Sequence, residues 1–397
     1  MKKRVPVEEL RIGMYVSELD RPWLDTKFAF QGFPITSEAD LARLRQTCKM
    51  VTIDVEKSAS PGSSRPGLAG LAGRQSEPYP EKVSVERELE PAGAIFEDCR
   101  QALENNLKTL LAGGELDAES VKSSVQKIAA SIERNPDAML LLTKAREKDR
   151  RQLERMLDVS VLMMTFGRFL QLPREQLDLL GMVGLLQDIG KVKVPDAVLR
   201  KQDALTHEEL QQARLHVVHS AAMLRDAKGL PPGISDLVLL HHERYDGSGY
   251  PRGLAGADIG MLGCIAAIVD SYSAMTGARP YAEQMSPSNA LGVLYKGRGT
   301  LYHEALVEQF IQCIGIYPVG SVVQLNSGEV AVVIAQNRVR RLQPRIMVML
   351  DAESKPISPH RILDLIKEPK APSGEPYRIR RTLEAAKLPI DPRDFFL

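Results

Sequence analysis

The stretch His241-His242-Glu243-Arg244-Tyr245-Asp246-Gly247-Ser248-Gly249-Tyr250-Pro251 constrains the fold of this chain more than any other. An apolar run, Leu237-Val238-Leu239-Leu240, leads straight into it, so the paired histidines belong at the end of a buried helix. A buried imidazole needs a partner for each ring nitrogen, and imidazole is the commonest metal ligand among side chains. The Gly-Ser-Gly tract that follows imposes a tight backbone turn. The segment reads as a metal-binding corner running into a loop. Core histidines satisfied by carbonyls and water are the alternative.

Two further segments carry acids into apolar surroundings. Gly181-Met182-Val183-Gly184-Leu185-Leu186 predicts a helix, with Gly190 placed to stop it, and it delivers Asp188. An unpaired buried carboxylate is costly, so a cation must lie nearby. Lys191, about one turn on, can supply it as a plain ion pair. Met261 to Thr276 predicts a second apolar helix, interrupted by Asp270, and the same argument applies. Between them, Thr206-His207-Glu208-Glu209 is a capping box that starts a helix carrying His216 and His219. His207, on the first turn, is expected to be exposed, and His303 and His360 satisfied or solvated. Arg279 offers a planar fork that suits a phosphate.

The chain's 397 residues leave room for two or three domains, and a net charge of +1 provides no global field toward nucleic acid polymers or anionic lipid. No apolar stretch is read as long enough to span a membrane, and Met1-Lys2-Lys3-Arg4 runs into Val5-Pro6 without a signal-peptide core. Cys48, Cys99, Cys264 and Cys313 lack pairwise metal spacing and fit free thiols in a reducing compartment. A soluble, cytoplasmic protein is expected.

Residues 1–56 read as a small β-rich domain, with a strand beginning in 10–16, a closing strand at 51–55, and Trp23, Phe28, Phe30 and Phe33 as its aromatic core. The Pro/Gly/Ser-rich stretch 57–85 reads as a flexible linker. Residues 86–149 read as a helical connector, with a charged, solvated run at 144–151, and 150–316 as the helical domain that bears the histidines. Period-two alternation then marks a hairpin over 321–334, turning at Asn326-Ser327-Gly328, and a third strand at 345–350. These make a β appendage over 317–366. Residues 367–397 carry no signal and read as a tail.

His241 to Pro251 resembles the signature of the HD-GYP family, metal-dependent phosphodiesterases of bacterial cyclic di-GMP signalling. Gly249-Tyr250-Pro251 is the tripeptide in the family's name, and the likeness continues in Leu185 to Lys191, Ile268 to Tyr272 and Arg279-Pro280-Tyr281. It covers roughly residues 150 to 318. The resemblance implies a mainly α fold: an all-helical HD-type phosphohydrolase domain, with a small N-terminal β-rich domain and a C-terminal β appendage. It implies Asp188, His216, His241, His242 and Asp270 as metal ligands, with Asp188 and Lys191 at the reacting centre and His219 behind it or on the surface. Gly249, Tyr250, Pro251, Arg279 and Tyr281 would surround the nucleotide, although the two tyrosines could equally pack the loop. Iron, manganese, zinc or nickel would suit such ligands. Residues 1–56 resemble the small domain of unknown function that often precedes this module, where a protein partner would bind. Biofilm or motility control is the output the family implies.

The chain also departs from the family pattern. The histidine-aspartate pair reads Gln187-Asp188, Arg155 falls where an earlier helix carries another histidine, and no histidine precedes His207. Ser273 stands where the family has a second aspartate. Family hydrolysis uses two or three metals, and the residues here would hold fewer. The departures favour a cyclic di-GMP binding protein with weak or lost hydrolysis. The alternatives are an active phosphodiesterase releasing pGpG or GMP, and a protein-interaction module with a vestigial pocket.

Overall fold

The computed structural model describes residues 2–11, 14–20, 33–35, 38–54, 81–144, 151–201, 203–277, 285–337 and 340–383. They form two compact units, divided between Glu77 and Pro78.

In the first unit β1 (Lys2–Pro6), β2 (Tyr15–Leu19), β3 (Phe33–Pro34) and β4 (Met50–Asp54) make an antiparallel sheet in the order β1-β4-β2-β3, with helix α1 (Glu38–Thr47) between β3 and β4. Alternate strand residues face one side: Val5 pairs with Val51 and Val16 with Ile53, and all four are buried with Leu41 and Leu44 of α1. The closing strand expected at 51–55 is β4. Trp23, Phe28, Phe30 and the Phe33 side chain lie outside the described residues, as does most of the Pro/Gly/Ser-rich stretch.

The second unit begins with α2 (Val85–Leu111), α3 (Ala118–Arg134) and α4 (Pro136–Leu142). It continues through α5 (Arg151–Phe169), α6 (Arg174–Leu186), α7 (Asp196–Leu199), α8 (His207–Arg214), α9 (His216–Asp226), α10 (Ile234–Leu237), α11 (Gly260–Thr276), α12 (Pro287–Lys296) and α13 (Glu304–Ile314). Helices α5 and α6 touch backbone to backbone. A Cβ added at Gly184 would lie 2.4 Å from the Ser160 Cα, and the Ser160 hydroxyl donates to the Gly181 carbonyl at 2.8 Å. This contact fixes the spacing between the residues that follow Gly184 and those that precede Ser160. Helix α11 is the core helix. Contrary to the sequence expectation, Gly256–Thr276 is long and apolar enough to cross a membrane, but most of it is buried inside this unit, with Tyr272 edge-on to Phe310 at 5.2 Å.

Two helix boundaries differ from expectation. The capping box at Thr206 is present, but the helix it starts ends at Arg214, and His216 opens α9. The His216 ring bonds back to the Ala213 carbonyl at 2.6 Å and so occupies a helix-terminal acceptor. Gly190 does not stop α6, which ends at Leu186; it lies in a 3-10 turn, Ile189–Lys193. There a Cβ would meet the His216 carbonyl oxygen at 2.2 Å, because α9 crosses directly over it.

The chain ends in an antiparallel sheet of β5 (Val322–Leu325), β6 (Val330–Ala335), β7 (Arg345–Leu350), β8 (Pro356–Asp364) and β9 (Ile379–Leu383), in the order β8-β7-β6-β5-β9. The expected hairpin and third strand are β5, β6 and β7. One face (Val322, Val332, Ile334, Met347, Met349) joins the helical core, and the other (Val323, Val333, Ile346, Val348) packs with Leu365 and Tyr377. The sheet is therefore continuous with the helices rather than appended to them. Asp137 of α4 accepts from the Gln336 backbone N–H at 2.9 Å at the same junction. Strand β9 lies in the segment expected to be a tail. Its two arginines and a threonine mask it, and its pairing with β5 defines it.

Replacing Gly184 by alanine should destabilise the protein by about 1–3 kcal/mol, since backbone rather than a flexible side chain must give way. Urea denaturation would read this, and an unchanged midpoint would show that α5 and α6 can spread freely.

Candidate metal centre

Five elements converge at the C-terminal end of α6. His241 and His242 follow a 3-10 turn, Val238–Leu240, as the sequence suggested. His216 comes from the start of α9, Asp188 from the turn after α6, Asp270 from the middle of α11, and Arg155 from the first turns of α5. Ser220 of α9 ties two of these together: its hydroxyl donates to the Gln187 carbonyl and accepts from the Gly190 N–H, both at 2.8 Å.

His216 Nδ1 donates to the Ala213 carbonyl at 2.6 Å and His241 Nδ1 to the Val238 carbonyl at 2.7 Å. Carbonyls only accept, so in the neutral tautomer both Nε2 atoms carry lone pairs. These two atoms lie 3.4 Å apart, and Asp188 Oδ1 is 3.2 Å from one and 4.0 Å from the other. Three electron-pair donors thus face one point, an arrangement that a cation or a proton must relieve. One ligand nitrogen each from His216, His241 and His242 falls within 4.8 Å of the others. Ring orientation set by a backbone carbonyl is the outer-shell arrangement that metal-binding histidines use. The donor set fits one divalent cation held by His216, His241, His242 and Asp188.

The other half of the site is closed by protein cations. Arg155 Nη2 bonds Asp270 Oδ1 at 2.7 Å and its Nε lies 3.6 Å from Asp188 Oδ2. Gln187 Nε2 donates to the same Asp270 oxygen at 2.9 Å, and its own Oε1 is buried without a partner. Lys191 Nζ bonds Asp188 Oδ2 at 2.7 Å. Asp270 Oδ2 remains 3.7 Å from His242 Nδ1.

Burial raises the carboxyl pKa values, but the groups packed around them outweigh it. Lys191, His216 and Arg155 hold Asp188 well below the ordinary range, and Arg155 with His242 and His241 brings Asp270 to about 2. Burial pushes His241 down to about 4 and His242 well below its usual value. Both rings are therefore neutral at neutral pH, the state a metal ligand needs.

The glycine-rich loop is locked by Glu243, which is fully buried and accepts from the Arg252 and Leu254 backbone N–H groups at 2.8 and 3.0 Å. Gly249 is required there, since a Cβ would lie 2.5 Å from the Glu243 Cα. Tyr250 stacks on His242 at 4.7 Å, with Arg214 over its ring, and precedes a cis Pro251. Arg279 and Tyr281 lie outside the described residues. His207 is exposed, His219 half-buried, and His303 caps α13 by accepting from the Leu306 N–H.

Sequence reasoning passed over Glu243, Arg214 and Asp158. Asp158 is wholly buried in α5, where it accepts from Lys144 Nζ at 3.1 Å and from the Ser273 hydroxyl at 2.7 Å. An acid between Leu157 and Val159 carried the same signal that singled out Asp270. Lys144, expected in a solvated run, is thus drawn inward.

A family model described as HD domain matches residues 134–306, one described as Domain of unknown function (DUF3391) matches 2–121, and one described as KOW domain associated with HD domain matches 322–371. Cyclic di-GMP phosphodiesterase PA4108 of Pseudomonas aeruginosa is 35% identical over 374 residues, 92% of this chain and 89% of that one. The chain belongs to the HD-GYP family. Another relative, the cyclic di-GMP phosphodiesterase response regulator RpfG of Xanthomonas campestris pv. campestris, is 36% identical over 161 residues, 40% of this chain and 42% of that one. Among solved structures, the HDGYP protein Bd1817 of Bdellovibrio bacteriovorus superposes with a TM-score of 0.47 at 15% identity, covering 78% of this chain and 98% of that one. This HD-GYP chain has Gln187 and Arg155 at the two positions where the sequence pattern led one to look for histidine, and the two side chains meet on one carboxylate oxygen.

Two outcomes follow from these charges. Arg155→Ala should cost about 3–5 kcal/mol, because it strands the buried Asp270 carboxylate and leaves Asp188 to Lys191 alone. A denaturation midpoint equal to wild type would show that water or another cation replaces the guanidinium. In metal-free protein, His241 titrates at 6.5 when unfolded and about 4 when folded. Its contribution to stability is complete above the unfolded value and is lost as pH falls from 6.5 toward 4, on the order of a few kcal/mol. His241→Gln should flatten that acid limb of the stability profile, and an identical profile would contradict it.

Proposed function

We propose that this HD-GYP protein binds cyclic di-GMP at a centre holding one divalent cation, with phosphodiester hydrolysis weak or lost. The observation that carries the reading is Arg155, whose guanidinium bonds Asp270 and reaches toward Asp188, which Lys191 also pairs. The ligand class is supported by the relatives, which are named cyclic di-GMP phosphodiesterases. Iron, manganese, zinc or nickel would be held by His216, His241, His242 and Asp188, and would polarise a phosphate oxygen there. Arg155 and Lys191 add positive charge that favours an anionic ligand. A guanidinium remains protonated at neutral pH, however, so it cannot lower the pKa of a water as a second metal would. Gln187 likewise donates an N–H to Asp270 where an imidazole nitrogen would offer a lone pair to a metal.

The second reading, an active phosphodiesterase releasing pGpG or GMP, draws on the intact convergence of three histidines with Asp188 and the adjacent Lys191. Incubating metal-reconstituted protein with cyclic di-GMP while following both binding and product separates the two. The expected result is binding without pGpG or GMP, and a metal content near one ion per chain. Steady turnover that vanishes in Asp188→Ala would establish the second reading instead. Arg155→His combined with Gln187→His should raise metal content. If metal content and turnover stay unchanged, the lost-ligand account is wrong.

A further inference from the structure

We infer that Arg214 is a phosphate-contacting residue at the mouth of the metal centre, an inference that rests on the cyclic di-GMP reading above. Four other cations around the site are already committed. Arg155 is bound to Asp270, Lys191 to Asp188, and Arg252 to Asp236 at 3.0 Å. Arg244 donates to the Glu243 carbonyl at 2.8 Å and more loosely to the His241 carbonyl and the Ser271 hydroxyl, both at 3.5 Å. Arg214 is different. Its guanidinium carbon sits 4.8 Å from the centroid of the Tyr250 ring, and it meets no hydrogen-bond acceptor or carboxylate among the described residues.

That arrangement positions a charge without using its donors. The cation–π contact holds the guanidinium over the ring and, with no acceptor among the described residues, leaves its N–H donors available for an anion. Tyr250 itself stacks on His242 at a ring separation of 4.7 Å and an interplanar angle of 26°. The guanidinium therefore lies no farther from the His242 ring than these two distances combined. Arg214 is also the last residue of α8, and His216 opens α9. Only Leu215 separates the two residues, so Arg214 stands beside the histidine that enters the site. A cyclic dinucleotide carries two phosphodiesters, and Arg214 takes the one turned away from the histidines. Tyr250 then serves as the platform for Arg214, giving that tyrosine a role in the loop apart from stacking on a base.

The test compares wild type, R214Q and R214K as full chains reconstituted with the same metal, by calorimetric titration with cyclic di-GMP at two salt concentrations. R214Q should weaken binding tenfold or more and flatten its salt dependence. R214K should recover part of the loss, since it keeps the charge but not the planar fork. Metal content and thermal midpoint should match wild type in both variants. Wild-type binding that survives intact in R214Q overturns this inference and leaves the functional reading standing. Weakened binding accompanied by lost metal also overturns it, because Arg214 would then act through the histidines. A wild-type protein that binds no cyclic di-GMP at all removes the functional reading, and this inference falls with it.

Discussion

Asp158, Asp188 and Asp270 are buried in a helical core where an unpaired carboxylate could not persist, and each is matched by a cation brought from elsewhere in the chain. Asp188 meets Lys191 from its own turn and Arg155 from α5; Asp270 meets Arg155; Asp158 meets Lys144 from the end of α4. The pairing of Arg155 with the two site carboxylates fixes what the centre can do. It divides the converging side chains into a half that presents lone pairs to an external cation and a half already neutralised by a guanidinium.

The geometry of that division depends on backbones packed too closely for a side chain. Gly184 lets α6 rest on α5 at Ser160, and Gly190 lets α9 pass over the Asp188 turn. Ser220 fastens the second crossing by bonding on both sides of Asp188. Gly249 and the buried Glu243 hold the loop beneath Tyr250. These contacts bring residues far apart in sequence to within hydrogen-bonding distance.

Much of the site was legible because burial of polar groups leaves a mark in sequence. Asp188, Asp270 and His241 each interrupt an apolar run, and the structure gathers all three. The β5–β6 hairpin was legible through period-two alternation. Other features left no such mark. Strand β9, with two adjacent exposed arginines and no apolar alternation, is a strand because β5 offers it an edge. The boundary between α8 and α9 at Leu215, beside the ring bond from His216 to Ala213, is not registered by periodicity. Gly190 could be read as a helix stop in one dimension, whereas its reason is a crossing helix.

The amino-acid sequence by itself determined the mainly helical fold and the acids and histidines carried into apolar surroundings. These follow from residue type and local pattern, which are properties of the chain alone. Only the tertiary structure decided that Arg155 and Gln187 share one oxygen of Asp270, that Lys144 serves Asp158, and that Arg214 rests on Tyr250 with no acceptor among the described residues. Each of these pairs joins segments whose separation is set by helix packing, and electrostatic partners in a low-dielectric core are chosen by distance rather than by order along the chain.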